Sequence, residues 1–104
     1  SFIILDTAST YANADAAVNV FEDSGAAAIN HNTNISASDA FLFAYENTTG
    51  GVTVAAAYFN AADTEGSTGN ATCIDDNKLE GVDLITFDDI SNVATLHATN
   101  FDLV

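Results

Sequence analysis

The sequence has almost no basic residues. Fifteen Asp and Glu residues accompany a single Lys, Lys78, and no Arg, which gives a formal net charge of −14 over 104 residues. Nucleic acids and anionic membrane surfaces are bound through Lys and Arg, which neutralise phosphate. The composition therefore predicts that neither a nucleic acid nor an anionic membrane surface is a partner.

Cysteine and long apolar runs are also scarce. Cys73 is the one cysteine, so no disulfide can form within the chain. We expect Cys73 to be a buried, unreactive small side chain, with pairing between chains as the alternative. No apolar run approaches the roughly 20 residues that a membrane-spanning helix needs, so membrane insertion is not predicted.

Motifs that carry catalysis are missing from the sequence. It has no G-x-S-x-G turn, no phosphate-binding glycine loop and no Cys-His pairing. Its two histidines, His31 and His97, lack zinc-ligand spacing, and His31 is expected to be solvated in a polar loop. We predict that the chain is not an enzyme and has no small-molecule substrate, although an acid–base pair among its carboxylates stays open.

Apolar residues make up 48% of the chain, with seven Phe and three Tyr, so residues 1–104 are predicted to fold as one domain. The clearest pattern is a β-hairpin, with strands Phe41–Tyr45 and Val52–Phe59 around a Gly-containing turn. Its first strand is apolar on both faces, as in the central strand of a sheet. The predicted fold is all-β: an antiparallel β-sandwich or roll with at most one or two short helical turns.

Two further segments have strand-like patterns. Asp15–Glu22 is interpreted as a strand because of Val18, Val20 and Phe21, although its alanines also permit a helical turn. Residues 82–87 alternate, which predicts a strand with one face formed by Val82, Leu84 and Thr86.

The carboxyl-terminal residues are predicted to continue the β fold. Ser91 is expected to cap a short helical turn over Val93–His97. Asn100–Val104 is expected to form a last strand.

The apolar run at the amino-terminal end, Ser1–Asp6 (SFIILD), predicts a strand that must be covered on both faces. It has two interpretations: an internal strand of the domain, or a strand donated to a neighbouring subunit. In the second interpretation the assembly residues are Phe2, Ile3, Ile4 and Leu5.

The acidic residues of the last third form two clusters. So much like charge opposes compaction, and Ca²⁺ prefers carboxylate and carbonyl oxygens, so calcium is the predicted cofactor. The alternative is a solvated acidic face. Neither an EF-hand loop nor the nonapeptide G-G-x-G-x-D-x-U-x is present, so a calcium site must be irregular. The candidate ligands are Asp75, Asp76, Asn77, Glu80 and Asp83 in one cluster and Asp88 and Asp89 in the other.

Three Asn residues begin an N-x-[ST] sequon, in segments predicted to be loops. They are Asn34, Asn47 and Asn70. Each is a candidate for N-glycosylation in a secreted protein, although chance matches are expected in a chain so rich in Asn, Ser and Thr.

The last two-thirds of the chain resembles the carboxyl-terminal regions of RTX-type bacterial proteins, which leave the cell by type I secretion and include surface-layer and cyanobacterial proteins. The similar parts are Asp39-Ala40 before an apolar strand, Leu79–Val82 (Leu-x-Gly-Val), the Leu-His-Ala of Leu96–Ala98, and the final Phe101–Val104. The resemblance implies an all-β, secreted, calcium-associated domain without catalysis, whose end acts as an uncleaved secretion signal.

Together these observations predict a secreted structural subunit of an extracellular or cell-surface assembly. We expect it to self-associate into a homopolymer, as a filament or layer, by strand exchange and calcium bridging. The alternative is a monomeric carboxyl-terminal module for secretion or adhesion, belonging to a larger RTX-like protein.

Overall fold

The fold is built on one four-stranded sheet and one two-stranded sheet. The computed structural model describes residues 2–64 and 71–95. In chain order its elements are β1 (Phe2–Ile4), α1 (Ala14–Ala17), the 3₁₀ turn η1 (Val18–Phe21), β2 (Asn30–His31), β3 (Ala40–Glu46), β4 (Val52–Phe59), β5 (Thr72–Cys73), β6 (Leu79–Phe87) and the 3₁₀ turn η2 (Val93–Thr95).

The main sheet has the order β1-β3-β4-β6, and β2 pairs with β5 apart from it. Strands β3, β4 and β6 are antiparallel to their neighbours, whereas β1 runs parallel to β3 with Phe2 opposite Leu42. Two sheets with only short helical elements confirm the predicted all-β class. The predicted hairpin is confirmed as β3 and β4, which are the two central strands.

Asn47 organises the hairpin turn. Its Oδ1 accepts hydrogen bonds from the backbone N–H groups of Thr49 and Gly51, each at 3.0 Å, and its Nδ2 donates to Thr53 Oγ1 at 3.1 Å. Gly50 has φ 92°, a conformation that glycine adopts without steric cost. One buried amide therefore binds two backbone N–H groups of the turn and a hydroxyl at the start of β4.

The prediction of a strand at Asp15–Glu22 is wrong. This segment forms α1 followed by η1. Asn13 caps the helix by accepting the N–H of Ala16 at 2.8 Å. The buried side chains follow the spacing i, i+3, i+4, i+7 of a helical face rather than the period of two of a strand; they are Ala14, Ala17, Val18 and Phe21.

The main sheet has hydrophobic clusters on both faces. The helical segment covers the inner face, where Phe21 packs edge-on against Phe43 with ring centroids 5.2 Å apart. The outer face has a smaller cluster, in which Val93 packs with Ala44, Val52 and Val54. Alternate residues of β1 pack against both clusters, Ile3 on the inner face and Phe2 and Ile4 on the outer face.

The prediction that side chains alternate regularly between the two faces of β6 is also wrong. A β-bulge interrupts the pairing of β6 with β4 between Val54 and Ala55. Val54 is opposite Ile85, and the next residue, Ala55, is opposite Asp83. The extra residue in β6 is Leu84, and it shifts the pattern by one position. Val82 therefore shares the outer face with Ile85 rather than with Thr86.

At the carboxyl-terminal end, the residue that caps η2 is Asn92 rather than Ser91. Asn92 Oδ1 accepts the N–H of Ala94 at 2.9 Å. The rest of the predicted turn, from residue 96, and the predicted strand Asn100–Val104 lie outside the described residues.

Candidate functional site

The first predicted calcium cluster is divided among four places. Asp76 and Asn77 form a turn that meets the end of η1, where the structure has a cavity of about 380 Å³. The cavity is lined by polar and acidic residues from the two segments, namely Asn19, Glu22, Asp23, Ser24, Gly25, Asp76 and Asn77. Sequence reasoning found the second segment of this lining and missed the first, because Glu22 and Asp23 lie more than 50 positions upstream.

Glu22 is the buried member of this lining, with 3% of its surface exposed. Its Oε2 accepts the backbone N–H of Leu79 at 2.9 Å, and its own backbone forms a bridge to Ile74. Glu22 therefore ties η1 to the start of β6. Asp23 and Asp76 are exposed, and their carboxylates give the cavity a negative potential.

Glu80 and Asp83 project from opposite faces of β6, since Glu80 is opposite Tyr58 and Asp83 is opposite Ala55. Asp83 Oδ1 accepts the Tyr45 hydroxyl at 2.8 Å and the N–H of Ala14 at 3.0 Å. Burial, together with the bond to Asp83, raises the pKa of Tyr45 to about 12. Asp83 thus has a structural role at the junction of α1 with the sheet.

On the other face, Glu80 Oε1 accepts the Tyr58 hydroxyl at 3.2 Å, and the charge of Glu80 raises the pKa of Tyr58. Asp75 is half-buried, and its N–H donates to Asp63 Oδ2 at 3.1 Å. The second predicted cluster, Asp88 and Asp89, forms an exposed turn after β6. Within residues 2–64 and 71–95, no three His, Cys, Asp or Glu side chains are grouped to hold a metal ion. Calcium binding stays a prediction.

The histidine prediction is wrong for His31. Its side chain is only 8% exposed, and Nε2 lies 3.3 Å from Oδ1 of the fully buried Asp63. Nδ1 lies 2.8 Å from the carbonyl oxygen of Thr33. Asp63 also exchanges backbone hydrogen bonds with Ile35, so it connects two loops beside β2 and β5. Sequence offered no signal for this pair, because 32 positions of loop and hairpin separate its members.

Cys73 is half-buried and not fully buried as expected, and its Sγ donates to Asn30 Oδ1 at 3.0 Å. It is opposite Asn30 in the β2–β5 pair, whereas His31 is opposite Thr72. Adjacent strand residues point to opposite faces. The thiol and the imidazole therefore lie on different sides of this small sheet and do not form a nucleophile–base pair.

The predicted assembly residues lie in and just after β1. Phe2, Ile3 and Ile4 are half-buried, and Leu5 is 4% exposed. Their strand pairs with β3 of the same chain, and Leu5 N–H extends the pairing by donating to Ala44 at 2.9 Å. The sequence allowed an internal strand or a donated strand, and in this structure β1 is an internal strand.

The sequons differ in accessibility. Asn34 is exposed, whereas Asn47 is 7% exposed and its Nδ2 is bound to Thr53. A glycan on Asn47 requires that the turn amide be released, so the structure favours Asn34 over Asn47 as an acceptor. Asn70 lies outside the described residues.

The outer face of the sheet has an exposed apolar patch that sequence reasoning did not single out. Leu42, Val82 and Ile85 lie on this face, the bulge residue Leu84 is next to Ile85, and the four side chains are 40–56% exposed. Three of its four members lie on β6, an edge strand of the main sheet. The bulge explains why the sequence pattern did not reveal it, since alternation assigned Leu84 and Ile85 to opposite faces.

Comparison with known proteins returned no match among family models, curated proteins or solved structures. In the part of the chain that the structure describes, no helix has the length and apolar character to cross a membrane.

Proposed function

We propose that this chain is a secreted, non-enzymatic structural subunit of an extracellular or cell-surface assembly, in which copies join by exchanging β1. The observation that carries this proposal is the position of β1. It is a three-residue edge strand, parallel to β3, whose side chains pack against both hydrophobic clusters. A short, apolar strand at the edge of a sheet is the kind of element that proteins exchange.

Strand exchange keeps the contacts that the single chain makes. When β1 of a neighbour replaces the chain's own, Phe2 again lies opposite Leu42 and Ile4 opposite Ala44. β1 has no charged side chain, so its exchange adds no repulsion at the contact. The segment between Ile4 and α1, residues 5–13, is the connection that must open.

Calcium is expected to promote assembly because the chain is strongly acidic. Copies with a net charge of −14 repel one another, and divalent cations between exposed carboxylates reduce that repulsion. The exposed turn of Asp88 and Asp89 and the exposed rim of Asp23 and Asp76 supply such oxygens. Assembly is therefore expected to depend on calcium and to weaken when calcium is chelated.

Light scattering at millimolar calcium tests the proposal. The full chain is expected to form oligomers, and a chain without residues 1–6 is expected not to. Because truncation exposes parts of both clusters, a synthetic SFIILD peptide is added to the truncated chain as a second measurement. The peptide is expected to bind one per chain, and a control peptide with Asp in place of Ile3 and Ile4 is not.

If the full chain is a monomer at every calcium concentration and the truncated chain has the same state, strand exchange is wrong. That result favours the second candidate, a monomeric module for secretion or adhesion, which agrees with the pairing of β1 with its own β3.

A further inference from the structure

One titratable pair is buried away from the main sheet. The side chains of His31 and Asp63 are 8% and 0% exposed, and Nε2 of His31 lies 3.3 Å from Oδ1 of Asp63. This contact is longer than an ordinary hydrogen bond, and Nε2 forms no hydrogen bond within residues 2–64 and 71–95. On the other side of the ring, Nδ1 lies 2.8 Å from the carbonyl oxygen of Thr33. Both ring nitrogens of His31 therefore face oxygen atoms.

The two oxygen atoms determine how many protons the ring carries. Neutral imidazole has one N–H and one lone pair, so one of its nitrogens would direct a lone pair at an oxygen. With the proton on Nδ1, the lone pair faces a buried carboxylate; with the proton on Nε2, it faces the Thr33 carbonyl at 2.8 Å. When Asp63 is ionised, only the imidazolium ion directs an N–H at both oxygens.

The contacts of Asp63 stabilise its negative charge. Its Oδ2 accepts the backbone N–H of Asp75 at 3.1 Å, and a hydrogen bond donated to a carboxylate favours the ionised form. A buried charge is costly unless a group of opposite charge lies beside it. The imidazolium ion of His31 supplies that charge, so the burial of Asp63 and the protonation of His31 require each other.

Asp63 connects three segments of the chain. Its backbone exchanges two hydrogen bonds with Ile35, each at 2.9 Å, while Oδ2 accepts the Asp75 N–H and Oδ1 faces His31. These segments belong to a region that we call the side layer, which consists of β2, β5 and the loop residues 32–39 and 60–64. β2 pairs with β5 apart from the main sheet. The His31–Asp63 pair therefore joins the parts of the side layer to one another.

Other titratable groups lie around the pair without contacting its ring. Asp75 is half-buried, and Lys78 donates its Nζ to the carbonyl of Ala62, the residue before Asp63, at 2.8 Å. The remaining ones on the segments bonded to the side layer, or within it, are bound elsewhere or exposed; they are Glu22, bound to Leu79, Cys73, bound to Asn30, and the exposed Asp23 and Asp39. In the part of the chain that the structure describes, the ring nitrogens of His31 contact only Thr33 and Asp63. Asp63 is therefore the group that determines the charge of His31.

We propose that the His31–Asp63 pair is a pH-sensitive latch of the side layer. His31 is an imidazolium ion in the folded chain, and the loss of its proton removes the opposite charge from a buried carboxylate. A solvated histidine loses its charge near about pH 6.5, so the stability from the pair is complete below about pH 6.5 and is lost as the pH rises further. The latch uses neither β1 nor the acidic turns, so it goes beyond the proposed strand exchange and does not depend on it.

Nitrogen-15 NMR of the imidazole rings tests the charge of His31 directly. At about pH 7.5 a solvated histidine is mostly neutral and gives two very different nitrogen shifts, whereas an imidazolium ion gives two similar shifts. His31 is expected to give the imidazolium pattern, and His97→Gln removes the signals of the other histidine. In Asp63→Asn the new side-chain amide can donate to Nε2, so His31 is expected to be neutral while circular dichroism shows the same fold.

Labelling of Cys73 with a thiol reagent measures the opening of the side layer. Cys73 is the one thiol of the chain and is bound to Asn30 across the β2–β5 pair. The labelling rate of the urea-unfolded chain at the same pH is the reference, because it corrects for ionisation of the thiol. Between about pH 6 and about pH 9, the protection of Cys73 relative to that reference is expected to fall by about tenfold or more in the wild type and to stay level in Asp63→Asn.

Three results would overturn the inference. A neutral His31 at about pH 7.5 in the wild type shows that the ring does not carry the second proton, and this spectrum decides the question even if Asp63→Asn does not fold. Protection of Cys73 that does not change with pH in the wild type, or that changes equally in Asp63→Asn, shows that the pair does not hold the side layer. An Nε2 signal without a proton that shifts when a chelator is added places a metal ion between the two side chains instead of a proton.

Discussion

Replacing Asp83 by Ala tests whether one carboxylate holds the helical segment to the sheet. Tyr45 is 1% exposed, and its hydroxyl donates to Asp83, which also accepts the N–H of Ala14. Loss of the part-buried hydrogen bond to Asp83 costs about 1–2 kcal/mol, because Thr53 remains as a second partner of the hydroxyl, and loss of the contact at the start of the helix adds about 1 kcal/mol. We expect the free energy of unfolding to fall by about 2–3 kcal/mol, and the Tm by roughly 10–20 °C.

The assay is urea unfolding of four proteins: the wild type, Asp83→Ala, Tyr45→Phe and the double variant. Because the two side chains share one hydrogen bond, a coupling of about 1–2 kcal/mol is expected between them. Asp88→Ala is the matched control, since it removes an exposed Asp five positions along the chain and is expected to change stability by less than about 0.5 kcal/mol. An effect of Asp83→Ala no larger than that control, or zero coupling, refutes the reasoning.

Three other predictions concern the same fold. Gly81→Ala places a methyl group against the Ala14 carbonyl, and thermal unfolding is expected to show a loss of stability of about 1–3 kcal/mol. Gly50→Ala puts no atom into contact, so its cost comes only from the positive φ of that residue. Folding raises the pKa of Tyr45 from 10.0 to about 12. The stability that this group contributes is therefore complete below pH 10 and is lost as the pH rises toward 12. A titration followed by the ultraviolet absorbance of phenolate should show a step near pH 12 that Tyr45→Phe abolishes. Calcium at about a hundred times its Kd should stabilise the native state by about 2.7 kcal/mol. A Tm that chelation leaves unchanged contradicts calcium binding.

The hairpin was predictable because its local signals agree. An apolar run, a glycine-containing turn and a second β-prone run predicted β3 and β4 to within about one residue at each end. The all-β class followed from the same kind of pattern. Local signals are sufficient where the neighbours in space are also neighbours in sequence.

The helical segment was mispredicted although its signal was present. Val18, Val20 and Phe21 are β-prone, but intrinsic preference is weak beside burial of a helical face capped by Asn13. Counting the i, i+3, i+4, i+7 spacing from Ala14 would have found it. For β6 the sequence held no comparable clue, because a bulge depends on pairing with β4.

The candidate sites depended most on contacts between distant segments. Asp83 was expected to be a metal ligand because it lies near other acids in sequence, yet the fold places it beside Tyr45 and away from Glu80. His31 was expected in solvent, and the fold places it against Asp63. Acidic composition predicts the charge of the surface, but it does not predict which carboxylates lie close together in the fold.

The most direct test of the central claim is the molar mass of the full chain at millimolar calcium, measured by light scattering with and without excess SFIILD peptide. Strand exchange predicts an oligomer whose mass falls toward that of one chain as the free peptide occupies β3 and ends growth. A mass of one chain in both samples, or an oligomer that the peptide leaves unchanged, contradicts the account.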